Sequence, residues 1–214
     1  FGMLNGFVNG FLISKFVLPP FIVTLATQTL LRSVVKYVTN GTTVKGLKDP
    51  VFMAIGNGSL PGGLPIAFLI FLAIALMMHI VLSKTKFGTY VYALGGNEIT
   101  ARYTGIQVDK VKILIYMLAG VMTALASVVE VSRMASVAPT SSGVSYETEA
   151  IICAVVGGTA FTGGKGKIPG TVIGAVILYV IFNMLVHLNI STYLSGAVKG
   201  MVILVAVLLQ KRDN

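Results

Sequence analysis

The run LPIAFLIFLAIALMMHIVL at 64–82 is the feature that most limits what this chain can fold into. Its 19 residues include no Asp, Glu, Lys or Arg, and an α-helix of that length extends about 28 Å, close to the ~30 Å hydrocarbon core of a bilayer. Charged residues make up 11% of the chain, whereas a soluble domain carries about 25%. A water-soluble globule is therefore excluded, and we expect an all-α, polytopic bundle of transmembrane helices.

Other apolar runs set the number of membrane crossings. Three of them are nearly as apolar as the first: 111–130, 169–188 and 193–209. Two are shorter, because 20–31 stops at Arg32 and 150–163 is interrupted by Gly157 and Gly158. Interruptions of this kind are typical of broken or partly re-entrant helices. We expect about six to seven membrane segments, and the sequence leaves open whether 20–37 crosses or folds back.

The positive charges predict an orientation in the membrane. The chain has 16 Lys and Arg against 7 Asp and Glu, a net charge of +9. If 64–82 runs from outside to inside, ten positive residues fall inside and three fall outside, at Lys45, Lys48 and Arg133. Because cytoplasmic loops carry such an excess, we expect a cytoplasmic C-terminus and a crossing at 150–163. The net charge then reflects the orientation of a chain that lies in membrane lipid. It does not indicate a nucleic acid partner.

Small residues recur four positions apart in three parts of the chain: Gly2, Gly6 and Gly10; Gly170 and Gly174; Gly196 and Gly200. In lipid, such spacing lets two helix backbones approach closely. The pattern favours packing between helices of one subunit, with contact between subunits as the less favoured alternative.

Several kinds of chemistry have no counterpart in the sequence. It contains no G-x-x-x-x-G-K-[ST] phosphate loop, no H-E-x-x-H and no G-x-S-x-G. A single cysteine, Cys153, and two distant histidines disfavour a metal site, so no catalytic, cofactor-binding or metal-ligating residue is expected. All seven acidic residues lie in predicted loops or at span ends, which disfavours a proton-driven pump. Any transport would then need energy from another protein, and a membrane-embedded enzyme is the least favoured class.

The predicted inside loop GTYVYALGGNEITARYTGI at 88–106 carries helix signals. Asn97 suits an N-cap, Glu98 suits the positive first turn, and Gly105 suits the end of a short helix at 98–104. Ile99, Arg102, Tyr103 and Ile106 would share one face of it. A helix this short is not stable alone. It needs support from the rest of the protein or from a partner's groove, and a loop helix that lies on the lipid headgroups is the open alternative.

Four stretches resemble the transmembrane permease of bacterial sugar ABC importers of the ribose-transport type: PPFIVTLATQTLLR (19–32), FGTYVYALGGNEITARYTGIQVDKVK (87–112), SYETEAIICAVVGGTAFTGGKGKIPGTVIGA (145–175) and VKGMVILVAVLL (198–209). The resemblance implies that 1–214 is one permease domain, the C-terminal two-thirds of a longer subunit, in the bacterial inner membrane. It also implies that 83–112 is a cytoplasmic coupling loop. Residues expected on its coupling helix are Asn97, Glu98, Ala101, Arg102, Gly105 and Ile106.

The same resemblance implies the partners. These would be cytoplasmic ABC ATPase subunits that hold ATP and Mg, a second permease subunit, identical or not, and a periplasmic or lipid-anchored sugar-binding protein. That binding protein would deliver sugar to the loops 38–62 and 131–147. No cofactor is expected on this chain itself.

The substrate pathway is predicted from short, Gly- or Pro-interrupted segments, which mark transport sites. The residues singled out are Phe21, Thr24, Gly157, Gly158 and Asn183. Helix packing is an open alternative for each of them. The resemblance implies a monosaccharide cargo, a ribose-like sugar, and the lack of an apparent buried carboxylate that would pair with a zwitterion agrees with a neutral polyol. Branched-chain amino acid or nucleoside import by a related permease is the nearest alternative, and a self-powered carrier or channel is the alternative from another class.

Overall fold

The computed structural model describes residues 1–46, 49–60, 62–188, 194, 196–198 and 200–202. The elements of this part are, in chain order, α1 (Gly2–Phe16), α2 (Pro20–Val38), β1 (Val44–Lys45), α3 (Pro50–Asn57), α4 (Ile66–Lys84), α5 (Lys86–Gly96), α6 (Glu98–Tyr103), α7 (Val108–Met134), β2 (Ser136–Val137), α8 (Tyr146–Val156) and α9 (Ile168–His187). The all-α prediction is confirmed. Most of the predicted span 193–209 and the basic tail lie outside the described residues.

The chain forms two compact units. The first comprises 1–74 and 105–142, and the second comprises 75–104 and 143–214. Each unit is thus built from two separate stretches of sequence.

Three of the predicted membrane spans are confirmed as helices. Among the described residues, α4, α7 and α9 are long and apolar enough to cross a bilayer. They correspond to the predicted runs 64–82, 111–130 and 169–188. The chain is therefore an integral membrane protein.

The two short predicted segments differ from each other in the structure. α2 is one unbroken helix of 19 residues that continues through Arg32 to Val38. It begins at Pro20, whose missing N–H costs nothing in the first turn. The alternative of a helix broken at Arg32 is therefore wrong, and whether 20–37 crosses or folds back stays open. By contrast, α8 has 11 residues and ends before Gly157, so it extends only about 16 Å and does not cross the bilayer as a helix alone. A crossing by 150–163 stays a prediction.

In the first unit, α1 packs antiparallel against α7 through its glycines. A Cβ atom at Gly2 would overlap the Gly120 carbonyl, and one at Gly6 would overlap the Tyr116 carbonyl. At the end of the pair, the Ser14 hydroxyl donates to the Asp109 carbonyl at 3.2 Å. The prediction that this small-residue face packs within one chain is confirmed.

The other end of α7 holds the two predicted outside loops together. β1 and β2 pair antiparallel, with Val44 opposite Val137. The Ser132 hydroxyl, which is fully buried, accepts the Gly56 N–H at 2.8 Å and donates to the Phe52 carbonyl. α3, which the sequence did not indicate, is thereby fixed to the end of α7.

In the second unit, α8 packs against α9 by the same means. A Cβ at Gly170 would overlap the Gly157 carbonyl, and one at Gly174 would overlap the Cys153 carbonyl. The predicted role of the Gly170–Gly174 pair in helix packing is confirmed. The partner surface is the end of α8, at the glycines that interrupt it.

Candidate functional site

α6 carries the predicted caps. The Asn97 side chain accepts the Thr100 N–H at 3.0 Å, and Glu98 in the first turn lies 3.8 Å from the Arg102 guanidinium. The helix ends at Tyr103, one residue before the predicted end, and Gly105 follows with φ +82°. That left-handed conformation favours glycine, so the sequence signals for this short helix are confirmed.

The faces of α6 differ sharply in exposure. Ile99 is 68% exposed and Tyr103 is 87% exposed, whereas Ala101 is 3% exposed. Arg102 is also exposed, and Ile106 is half-buried beyond the end of the helix. Of the residues expected on the coupling helix, Ala101 therefore packs inside the chain, while Asn97, Glu98, Arg102 and Gly105 are exposed. Ile99 and Tyr103 add exposed apolar surface beside them.

A second segment lies against α5, the helix that precedes α6. The Tyr92 hydroxyl donates to the Gly166 carbonyl at 2.6 Å. A Cβ at Gly95 would lie 2.6 Å from the Gly164 nitrogen, so the two backbones touch. The predicted inside segments 83–112 and 163–168 thus meet at one end of the second unit.

The first unit contains a polar cleft between α1 and α2. Its volume is about 370 Å³, within the range of ordinary small-molecule sites, ~300–1,000 Å³. The lining polar residues are Asn5, Asn9, Thr24, Thr27, Gln28, Arg32 and Ser142. A neighbouring cavity of about 450 Å³ shares Asn5, Asn9 and Thr24 with it. These residues bring a band of polar groups into a unit built from membrane helices.

Asn9 is the unusual member of this band. It is 8% exposed, and its Oδ1 has no hydrogen-bond partner among the described residues. A buried polar atom without a partner costs about 1–3 kcal/mol. Arg32, in contrast, donates from Nη2 to the Ser142 carbonyl at 3.4 Å.

The predicted pathway residues occupy different environments. Thr24 lines the cleft, while Phe21, on the same helix, is 70% exposed and is not among the lining residues. Gly157 packs against Gly170, and Gly158 has φ +83° in the turn after α8. Asn183 is exposed on α9. The structure thus brings Thr24 alone of the five into the polar cleft.

Sequence reasoning missed most of the cleft. Asn5 and Asn9 stand beside the packing glycines, where they read as part of the packing face. A usable signal was the four-residue spacing of Thr24, Gln28 and Arg32, which places three polar residues on one face of an apolar helix. No group of His, Cys, Asp and Glu that could hold a metal occurs in the described part of the chain.

Comparison with known proteins identifies the family. The family model described as "Branched-chain amino acid transport system / permease component" matches residues 1–207. The ribose import permease protein RbsC of Bacillus subtilis (strain 168) is 42% identical over 207 residues, which cover 96% of this chain and 64% of that protein.

Two further relatives agree with this match. RbsC of Escherichia coli (strain K12) is 42% identical, over 100% of this chain and 67% of its own length. The L-arabinose transport system permease protein AraH of the same strain is 37% identical, over 95% of this chain and 61% of its own. No solved structure matches the chain.

The chain thus spans less than two thirds of the length of several relatives, including the Bacillus subtilis protein. The resemblance to sugar-importer permeases inferred from the sequence motifs is confirmed. This membrane chain belongs to the family of permease components of the branched-chain amino acid transport system, a family of transport subunits and not of enzymes.

Proposed function

We propose that the chain forms part of the permease subunit of an ATP-driven ABC importer for a monosaccharide. The observation that carries the proposal is the exposed apolar surface of α6. A helix of six residues is too short to be stable alone, yet it is capped at its start and presents Ile99 and Tyr103 to the surroundings. Such a surface fits a groove on a soluble partner.

The relatives support the choice of cargo. Those cited above are named as ribose and arabinose permeases, so a branched-chain amino acid cargo is not favoured. The chain has no phosphate-loop motif, and in this proposal ATP and Mg bind to the partner ATPase while this chain carries no cofactor. A second permease subunit completes the pathway.

The orientation follows from the charge distribution. The segments 83–112 and 163–168, both basic, lie on the cytoplasmic side with the C-terminus, in the inner membrane. Their contact through Tyr92 and Gly166 supports a common side. The outer surface is then formed by the paired β1 and β2 and by α3, which Ser132 fixes to α7, and it is where a sugar-binding protein docks.

The coupling role is tested with two tyrosines of equal exposure. Tyr103 on α6 and Tyr37 near the end of α2 are 87% and 85% exposed, and the proposal assigns them to opposite sides of the membrane. We expect Tyr103→Ser to weaken association with the ATPase subunit about tenfold, because aromatic side chains dominate such interfaces. Tyr37→Ser is the matched control and leaves that association unchanged.

The measurement is the amount of ATPase subunit that co-purifies with the full-length permease, together with uptake of labelled ribose. Equal ATPase binding by Tyr103→Ser, Ile99→Ser and the unmodified protein would show that α6 is not the coupling helix. Ala101 is unsuitable for this test, since it is buried and its replacement would disturb the fold.

A further inference from the structure

The cleft between α1 and α2 is lined by polar residues from both helices. Asn5 and Asn9 are four residues apart on α1, and Thr24, Gln28 and Arg32 are four residues apart on α2, so each helix turns one polar stripe to the cleft. Lipid cannot satisfy polar groups, and such residues in membrane helices face protein, water or a transported ligand.

The hydrogen-bonding capacity of the cleft is only partly used. The hydroxyls of Thr24 and Thr27 donate to the Pro20 and Val23 carbonyls, each at 3.0 Å, which leaves their oxygens able to accept. Asn9 Oδ1 is buried and has no partner among the described residues. Asparagine and glutamine amides also supply N–H donors. The cleft therefore offers both acceptors and donors, as a hydroxyl group does.

The charge of the cleft restricts the ligand. No carboxylate is among the described residues that line it, and its one cation, Arg32, donates to the Ser142 carbonyl. An amino acid would bring an ammonium group without a counter-charge. A neutral molecule with several hydroxyls would meet donors and acceptors from Asn5, Asn9, Thr24, Thr27 and Gln28, and the apolar side chains that complete the lining would face its C–H groups.

We propose that this cleft is a binding site for a neutral polyhydroxylated molecule, a monosaccharide in transit, in which the Asn9 amide and the Thr24 hydroxyl bind ligand hydroxyls. The proposal rests on the proposed function for its cargo. It adds the site, and it assigns Asn9 a role that the sequence did not suggest.

The first experiment measures access to the cleft in the full-length permease in membranes. Thr27→Cys and Thr29→Cys are compared, because both threonines lie on α2 and bond back to the carbonyl four residues earlier, yet Thr27 lines the cleft and Thr29 does not; Thr24 is left intact because its hydroxyl is a proposed ligand contact. Each is treated with a methanethiosulfonate reagent, with and without D-ribose or L-leucine.

We expect ribose to slow the modification of Thr27→Cys by the factor 1 + [L]/Kd, leucine to have no effect, and Thr29→Cys to respond to neither. Protection by leucine would overturn the ligand class, and protection by neither would show a cleft that holds water only. Because the assay uses no ATP, its result does not depend on whether the chain belongs to an ATP-driven importer. If ribose protects the cysteine and ribose uptake needs no ATPase, the proposed ABC importer is wrong but the proposed binding site stands.

The second experiment separates ligand binding from structural support. We expect Asn9→Leu to lower ribose uptake about tenfold, the usual effect of one lost hydrogen bond, and to leave the thermal unfolding midpoint of the permease unchanged or raised. A fall in that midpoint, in parallel with uptake, would mean that Asn9 supports the fold and would overturn the assignment. Normal uptake by Asn9→Leu would overturn it as well.

Discussion

Two adjacent faces of α1 meet their neighbours in opposite ways. One face, formed by Gly2, Gly6 and Gly10, touches the backbone of α7 with no space for a side chain. The other, formed by Asn5 and Asn9, borders a cleft of about 370 Å³ and contains a buried polar atom without a partner among the described residues. The same four-residue spacing thus produces one closed face and one open face.

The difference shows that a membrane helix can pack through one face and leave another face open to a cleft. Packing in lipid depends on close contact, because no hydrophobic effect drives helices together there, and the glycine face supplies that contact. The asparagine face contributes little to cohesion and retains an unsatisfied polar group. Groups that weaken a fold without local compensation are characteristic of functional sites.

The largest expected effect belongs to the closed face. Gly6→Ala should destabilise the permease by about 3 kcal/mol, because the new Cβ would overlap backbone atoms of Tyr116 and Met117, which cannot rotate away. The thermal unfolding midpoint in detergent measures it. Gly96→Ala is the control, since a Cβ there meets nothing within 4 Å and alanine favours a helix. Equal midpoints for the two variants would contradict the close packing of α1 on α7.

The next effect concerns the polar contact at the far end of α7. Ser132→Ala should cost about 2 kcal/mol, because the Gly56 N–H and the Phe52 carbonyl would lose their buried partner. Release of α3 would appear as faster protease cleavage within 46–60. Ser136→Ala, which removes an exposed hydroxyl two residues after Met134, should leave the cleavage rate unchanged. Identical rates for both variants would refute the attachment.

A smaller effect is expected at Gly10, on the same closed face. A Cβ there would lie 2.7 Å from the Ile113 Cα and 3.2 Å from the Tyr116 Cβ, so part of the strain can be relieved by a side chain. Gly10→Ala should cost about 1.5 kcal/mol, measured by the same thermal midpoint. A larger fall in the midpoint for Gly10→Ala than for Gly6→Ala would show that the cost of an added Cβ does not follow its distances to the backbone of α7.

The smallest effect should come from the open face. Asn5→Ala is expected to change stability by no more than about 0.5 kcal/mol, because Asn5 borders two cavities and its truncation leaves no packing gap. Its unfolding midpoint is compared with that of Gly10→Ala. A loss as large as that of Gly10→Ala would show that the cleft face holds the helices together.

The sequence predicted the elements whose signals are local. The runs now seen as α4, α7 and α9 needed only length and apolarity, and α6 needed only Asn97, Glu98 and Gly105 around a short segment. In each case the determining interactions lie within one helix or its caps, so they can be inferred without knowing the neighbours.

Features that depend on distant contacts were missed. α3 is fixed by Ser132, which lies 76 residues from Gly56 in the sequence, and nothing near residue 50 indicates that partner. Whether the helix breaks at Arg32 was left open by the sequence, because the carbonyl of Ser142 that accepts the Arg32 guanidinium lies 110 residues away. The cleft depends on which stripes face each other, and Asn9 could not be separated from the neighbouring glycines by spacing alone.

The length of α7 makes the depth of α3 in the membrane depend on the lipid. α7 has 27 residues, about 40 Å, but only residues 113–129 form a stretch without charge, about 26 Å long. If this stretch is centred in the bilayer, we expect Ser132 and Arg133 at the edge of the ~30 Å hydrocarbon core, next to the headgroups. Longer acyl chains would immerse the Gly56–Ser132 hydrogen bond where water cannot compete with it, and shorter chains would leave it hydrated. The strength of the attachment of α3 is thus set partly by bilayer thickness, a property of the host membrane and not of the chain.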